Sequence, residues 1–307
     1  MSAMRAGYNA RSTVPPVVSS LSVGLVGAGP WARHVTGPIF AAGPDTQLAG
    51  VWSRTAAHAE SLAASLDAPA LASFDDLLAA SDVVAIAVAP HAQPDLAIRA
   101  ASAGKTLLLE KPLAVELDDA RRIAEVVAAT GVGALVTLTN RFLAEFDEFV
   151  ATSTSFSATG ARGCFLSGAF LDGSVYATPW RLQHGCLLDV GPHLLDLHEA
   201  ALGEIVEVHA AGDRHGWVSL TLEHDSGVTS QASLCCTIGA DSRTELELFG
   251  PEGSLVYDAR AVDRTQLPAR LRNAVIAVAN GGSHPASVGR ALHLQELIAR
   301  AHAQLAA

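Results

Sequence analysis

The sequence predicts an α/β chain in two parts: a doubly wound parallel sheet, then a smaller α+β unit carrying an open antiparallel sheet. Three observations predict it. Short apolar runs alternate with amphipathic stretches from Leu21 to about residue 139, a glycine-rich turn directly follows the first run, and the pattern changes to a period of two beyond Asn140. The length of 307 residues agrees, because one domain usually takes roughly 150 residues.

In the first part, Ser22–Val26, Leu48–Trp52, Val83–Val88, Thr106–Leu109 and Ala134–Leu138 read as buried strands. The stretches Trp31–Ala42, Ala56–Leu66, Asp75–Ala80, Asp95–Ala103 and Glu116–Ala129 read as the helices between them. Asp118 and Asp119 open the last helix with charges that suit its positive end. Alternation of this kind gives parallel strands joined by right-handed crossovers. In the second part, Gly163–Leu171, Ile205–Ala211, Trp217–Glu223, Val228–Ile238 and Thr244–Phe249 read as antiparallel strands, with turns such as Asp225-Ser226-Gly227 between them. Pro192–Leu202 and Ala286–Leu305 read as helices. The expected organisation is a disordered leader over 1–20, a nucleotide-binding domain over 21–139, and a second domain over 140–307.

Composition narrows the classes of function. Half the residues are apolar and 17% are charged, as in a folded enzyme. A net charge of -11 disfavours nucleic acid or an anionic membrane as the main partner. No apolar stretch is long enough to span a membrane, and the leader lacks the apolar core of a signal peptide. Cys164, Cys186, Cys235 and Cys236 follow no paired metal spacing, so they read as core or half-buried thiols of a cytoplasmic protein.

Gly27-Ala28-Gly29-Pro30-Trp31-Ala32 sits between a buried strand and a helix, where a dinucleotide site needs it. Gly27 permits the tight turn, Gly29 lets a pyrophosphate approach the backbone, and Ala32 keeps the helix close to the strand. The second strand ends Val51-Trp52-Ser53-Arg54-Thr55, without the carboxylate that would hold the ribose hydroxyl of NAD. Ser53 and Arg54 suit a 2′-phosphate, so NADP is the preferred cofactor and NAD a possible one. A solvated arginine at a strand end is the plainer reading of Arg54.

Further elements carry a resemblance. Ala103-Gly104-Lys105 leads into Glu110-Lys111-Pro112-Leu113, and Gly185-Cys186-Leu187-Leu188-Asp189-Val190-Gly191-Pro192-His193-Leu194-Leu195-Asp196 follows later. With the Gly27–Ala32 turn, Asn140-Arg141-Phe142, Trp180-Arg181 and Phe249-Gly250-Pro251-Glu252-Gly253, the chain resembles the Gfo/Idh/MocA family over nearly all of residues 21–307. The resemblance implies hydride transfer between a nicotinamide and a hydroxyl or ketone carbon of a sugar, cyclitol or related polyol. It implies Lys111, Asp189 and His193 as the catalytic set, a cis bond before Pro112, and Pro30, Trp31, Pro90, Glu110 and Lys111 as further cofactor contacts. It equally permits a lyase or glycosidase that oxidises its substrate transiently with bound NAD. A non-catalytic nucleotide sensor is the third reading, disfavoured because Lys111, Asp189 and His193 are all present.

Roles follow from residue chemistry. Gly191 reads as an N-cap and Pro192 as a first helical residue, which would put His193 in a first turn where the helix dipole favours neutral imidazole. His193 is then the acid/base, Lys111 the group that stabilises the alkoxide, and Asp189 the substrate anchor, with exchange of the first two roles left open. Trp180 and Arg181 either line the substrate entrance or form a structural stack. Asp196 either supports His193 or lies beneath the pocket. A metal site through Asp189, His193, Asp196 and His198 is not expected, because no second ligand cluster closes it. One departure stands out. Ala89-Pro90-His91-Ala92-Gln93-Pro94 places Pro94 where relatives carry a histidine, which puts the adjoining loop in doubt. The open face of the second sheet predicts a homodimer or homotetramer.

Overall fold

Strand β1 (Leu21–Val26) buries Val23, Leu25 and Val26 completely, as a central parallel strand covered on both faces must. The computed structural model describes residues 20–43 and 45–305, so the expected leader lies outside the described residues except for Ser20. Beside β1 run β2 (Thr46–Trp52), β3 (Val83–Ile86), β4 (Thr106–Leu109) and β5 (Ala134–Val136), all parallel in the order β2–β1–β3–β4–β5. The helices divide between the faces. Phe40 of α1 (Gly37–Ala41) and Leu62 of α2 (Ala56–Ser65) pack on one, and Leu77 of α3 (Phe74–Ala80), Ala97 of α4 (Gln93–Ser102) and Ile123 of α5 (Leu117–Thr130) on the other. A π-helical turn over Ala32–Thr36 precedes α1 within the stretch expected to be one helix. The strand order reverses between β1 and β3, and a sheet of this kind opens its crevice at that point, beyond the carboxyl ends of the strands.

The second sheet contains β6 (Gly160–Leu166), β7 (Ile205–Gly212), β8 (Val218–His224), β9 (Thr229–Cys235), β10 (Arg243–Gly250) and β11 (Gly253–Asp258), in the order β11–β10–β6–β9–β8–β7. It is mixed rather than antiparallel, because β6 runs parallel to β9 with Cys164 opposite Ser233. The long helix α7 (Pro179–Leu202) is the crossover that returns the chain for this pairing. The expected strand over 163–171 stops at Leu166, where the chain turns so that Phe170 donates to the Cys236 carbonyl. Four elements went unread: β11, a 3-10 turn over Thr139–Phe142, α6 (Ala144–Ser153) and α8 (Leu267–Ala279).

The alternation of the second sheet points inward. Val218, Leu220, Leu222, Ala232, Leu234, Leu246 and Leu248 are buried, whereas Ser219, Thr221, Gln231 and the ion pair of Arg162 with Glu247 occupy the uncovered side. The open face is thus mostly polar but carries the exposed Trp217, Phe249 and Val256, while the alternating Leu and Ala side chains face the core. α8 and α9 (Val288–His302) fold back on the first sheet, where Val136 donates to the Ala286 carbonyl and Leu135 bridges Ser287. α9 also packs along α7, so it braces both sheets. Among the described residues no helix is long and apolar enough to cross a membrane.

Beneath α7 runs a buried polar chain. His224 Nδ1 lies 2.8 Å from the Gly203 carbonyl, and Ser230 Oγ lies 2.9 Å from both His224 Nε2 and His198 Nδ1. The carbonyl accepts only, so His224 carries its proton on Nδ1, Ser230 donates to His224 Nε2, and His198 Nδ1 donates to Ser230. His198 Nε2 is left facing Gly163 without a partner among the described residues. Burial, with His224 nearby, lowers the His198 pKa to about 3. Below about pH 6.5 the unfolded chain therefore binds a proton at this residue that the folded chain refuses until about pH 3. Stability should fall as pH drops through that window, by about 2 kcal/mol from His198 alone at pH 5. Urea denaturation at pH 7 and pH 5 checks this: His198→Gln should lose less stability between the two than the wild type.

Candidate active site

Between the two sheets lies a cavity of about 1140 Å³, above the roughly 300–1,000 Å³ that usually holds one small ligand. Its first end is the glycine turn. Gly27 has φ +105°, and a Cβ there would collide with the Ala87 carbonyl, so the turn requires glycine. Gly27 N donates to Trp52 O at 2.8 Å, tying the turn to the end of β2. A Cβ on Gly29 would meet nothing within 4 Å, so the backbone stands open to the cavity where a pyrophosphate would approach. Pro30 and Trp31 begin the helix, Gly29 O accepts from Arg33 N at 3.0 Å, and Ala32 is fully buried against the sheet. These residues fit a dinucleotide. Ser53 and Arg54 line the same end with Pro90 and His91. Ser53 Oγ donates to the Thr55 carbonyl, and Arg54 is exposed with no ion pair among the described residues. His58, in the first turn of α2, lines this end as well.

At the end of β4 the chain presents Glu110 and Lys111, followed by a cis Lys111–Pro112 bond. Gln93, fully buried at the start of α4, holds this loop. Its Nε2 donates to the carbonyls of Glu110 (2.8 Å) and Leu113 (2.9 Å), and its Oε1 accepts from Glu110 N (2.9 Å). Pro94 thus sits in the first turn of α4, where its missing N–H costs nothing, and the neighbouring amide ties down the loop. Burial raises the Glu110 pKa to about 7, against the opposing effects of Thr137 and Lys111. Thr137 has one hydroxyl hydrogen for two acceptors, Leu109 O and Glu110 Oε1, each 2.8 Å away. Protonated Glu110 resolves this by donating to Thr137, which then donates to Leu109.

α7 supplies the remaining groups. Gly185 breaks its helical geometry at φ +80°, where a Cβ would strike the Arg214 carbonyl. The helix then runs unbroken through Gly191 and Pro192, so neither caps it and His193 lies about two turns beyond the break, not in a first turn. His193 is indeed held neutral, but burial and the adjacent Lys111 do this, lowering its pKa to about 3. Its ring stacks on Phe165 with centroids 6.3 Å apart. Its Nδ1 is buried with no hydrogen-bond partner among the described residues.

Asp189 is 4% exposed and lies between two cations: Lys111 Nζ is 2.9 Å from Oδ1 and Arg181 Nε is 3.0 Å from Oδ2. Lys111 also donates to the Asp189 carbonyl at 2.7 Å. Burial pushes the Asp189 carboxyl up, but Lys111 and Arg181 outweigh it and hold the group below the usual carboxylate range. Arg181 stacks on Trp180, 4.5 Å from guanidinium carbon to ring centroid, and both line the cavity. Arg181 therefore joins the two roles that its sequence left as alternatives. Asp196 makes no hydrogen bond to His193, but its charge acts on the imidazole against burial and Lys111, and it is buried outside the cavity lining. It is paired with Arg141 and Arg290 (2.8 and 2.7 Å) about two turns along α7 from Asp189, and Arg290 also pairs with Glu199. Residues of these types so far apart in sequence gave no spacing from which to read that cluster, nor the role of Gln93.

Comparison with known proteins identifies the family. The family model described as "Oxidoreductase family, NAD-binding Rossmann fold" matches residues 21–138, and that of the "GFO/IDH/MocA C-terminal domain" matches residues 120–256. The chain is 31% identical over 257 residues to a dTDP-3,4-didehydro-2,6-dideoxy-alpha-D-glucose 3-reductase of Streptomyces violaceoruber, covering 78% of this chain and 73% of that protein. It is 28% identical over 233 residues to a scyllo-inositol 2-dehydrogenase (NADP(+)) of Bacillus subtilis, covering 70% and 69%. The crystal structure of GenD2 from gentamicin A biosynthesis, in complex with NAD, shares the fold with a TM-score of 0.83 at 20% identity, over 99% of this chain and 97% of that one.

The clamp on the Lys111 loop is testable. Gln93→Ala would orphan the buried Glu110 amide and two carbonyls, so stability should fall by about 2 kcal/mol in urea denaturation. An unchanged midpoint would show that the loop holds itself.

Proposed function

Because the chain belongs to the Gfo/Idh/MocA oxidoreductase family, we propose that it transfers hydride between NADP(H) and a hydroxyl or ketone carbon of a sugar or cyclitol. The observation that carries this reading is the meeting of Lys111 from the first domain with Asp189 and His193 from α7, in a cavity continuous with the glycine turn. When bound, the nicotinamide supplies or accepts the hydride. The residues of the chain manage the oxygen. An ammonium has three donors; Asp189 takes two from Lys111, at its carboxylate and its carbonyl, and the third is available to a substrate oxygen.

In reduction, Lys111 protonates the oxygen of the new carbinol, and in oxidation it receives that proton back. Neutral His193 hydrogen-bonds the same oxygen and fixes its direction. This exchanges the roles first assigned from the sequence, because an imidazole held at about 3 carries almost no proton to give near neutral pH. Arg181 and Lys111 keep Asp189 ionised, and Asp189 in turn keeps the ammonium in place. The NADP preference rests on Arg54 and Ser53 at the open end of β2, with His58 beside them.

Stopped NADPH fluorescence assays over a panel of ketosugars, inosose and dihydrodiols test the reading. Lys111→Ala and His193→Ala should each lower kcat/KM by about 100-fold or more. Near wild-type turnover in both would overturn the assignment, and turnover without net NADPH consumption would favour the transient-oxidation lyase. For the cofactor, Arg54→Ala should raise KM for NADPH about tenfold while leaving NADH unchanged. An equal effect on both would remove the 2′-phosphate reading.

A further inference from the structure

Four permanent cations line the cavity against two carboxylates, Glu110 and Asp189, in a protein whose net charge is -11. Lys111 and Arg181 are both committed to Asp189. The other two stand in different domains. Arg54 is at the end of β2, where the cofactor reading uses it. Arg264 lies in the loop between β11 and α8, and no function has been given to it.

Several contacts place Arg264 on the substrate side of the reacting groups. His193 stacks on Phe165, and Phe165 lies opposite Thr244 across the β6–β10 pair. Thr244 O accepts from Ala259 N at 2.9 Å, so the loop that begins there starts beside the catalytic histidine. Thr244, Ala259 and Arg264 all line the cavity, and the charge of Arg264 is near enough to bear on His193. The loop is tied down around the arginine. Asp263 N donates to Glu145 Oε1 at 3.0 Å, Thr265 N to Asp263 Oδ1 at 2.8 Å, and Leu267 N to the Arg264 carbonyl at 3.2 Å. Yet the Arg264 side chain forms no hydrogen bond or ion pair among the described residues. Nearby Asn140, 6% exposed, lines the cavity too; its Oδ1 accepts from the Tyr257 hydroxyl, which leaves its amide N–H groups for a ligand.

We propose that Arg264 binds an anionic phosphate ester of the substrate, so that the enzyme acts on a phosphorylated or nucleotide-linked sugar rather than on a neutral polyol. The inference rests on the hydride-transfer reading of the same cavity. A guanidinium held on an anchored loop presents paired N–H donors that match phosphate oxygens. With Lys111 and Arg181 both ion-paired to Asp189, Arg264 is the lining cation on this side that an anion can reach without breaking an ion pair. The carbon to be reduced then lies against Lys111 and His193, and the ester points away from the nicotinamide.

Binding to the NADPH-saturated enzyme, in which the cofactor occupies the Arg54 end, tests the idea without requiring turnover. Calorimetric titrations would use UDP-glucose, glucose 1-phosphate and glucose. At least one ester should bind tenfold or more tightly than glucose, and Arg264→Gln should abolish that advantage while Arg264→Lys retains part of it. Dependence on Arg264 for UDP-glucose alone would identify a nucleotide diphosphate, and dependence for both esters a simple phosphate. Equal binding of glucose and both esters, or undiminished ester binding by Arg264→Gln, would overturn the proposal. Arg264 is exposed, so an unchanged melting temperature is expected of both variants. Failure of hydride transfer in the Lys111 and His193 assays would instead sink the function and leave the binding result standing.

Discussion

The ion pair between Lys111 and Asp189 is the contact on which the site depends. Its partners come from different domains, have side chains that are 15% and 6% exposed, and approach to 2.9 Å. Charges so far from water are expensive unless each is fully matched, and removal of one partner from such a pair costs about 3–5 kcal/mol. Here the match is over-determined. Lys111 has two acceptors on Asp189, and Asp189 has a second cation in Arg181. The pair therefore fixes the distance between the first sheet and α7, and with it the width of the cavity between them.

α7 serves two charge systems at once. Asp189 and His193 are four residues apart, so they lie together on the cavity side. Asp196 and Glu199 follow at three-residue steps in the next turns, where Arg290 of α9 joins both and Arg141 holds Asp196. Glu199 also receives the Ile205 amide and His293, closing the start of β7 against α9. Asp189 and His193 are thus carried on a helix whose following turns are locked by ion pairs. Gly185 allows the entry segment with Trp180 and Arg181 to bend back over Asp189. Rigidity of this kind keeps donors aimed at a substrate oxygen without reorganisation during reaction.

Much of this was legible in the sequence wherever a period or a local motif carried it. All five strands of the first sheet were readable because buried parallel strands are continuous apolar runs, and the Gly27–Ala32 turn placed the nucleotide end. Local spacing and resemblance singled out Lys111, Asp189 and His193, which the fold brings to one cavity. The parallel pairing of β6 with β9 was not, because alternation fixes which side chains face inward but not the direction of the neighbouring strand. α6 did leave a trace: Phe142, Phe146 and Phe149 are buried at helical spacing, a pattern obscured by the acidic residues between them. The function of Gln93 left none, since a lone glutamine before a proline reveals nothing of the loop seventeen residues later that it clamps.

Charge distribution connects the fold with the chemistry. The whole chain is acidic, and its uncovered sheet and helix surfaces carry paired or solvated charges such as Arg162 with Glu247 and Arg122 with Asp119. Inside the cleft the balance reverses. Burial leaves Glu110 titrating at about 7, so near neutrality it cancels only part of a cation, and Asp189 cancels one more. The field of the cavity is then positive at both ends although the protein as a whole is negative, and low-dielectric walls concentrate such a field. An acidic exterior does not exclude an anionic ligand from a site like this; it limits where on the surface that ligand can settle. The cleft is the place where the chain has gathered cations that its own carboxylates do not use.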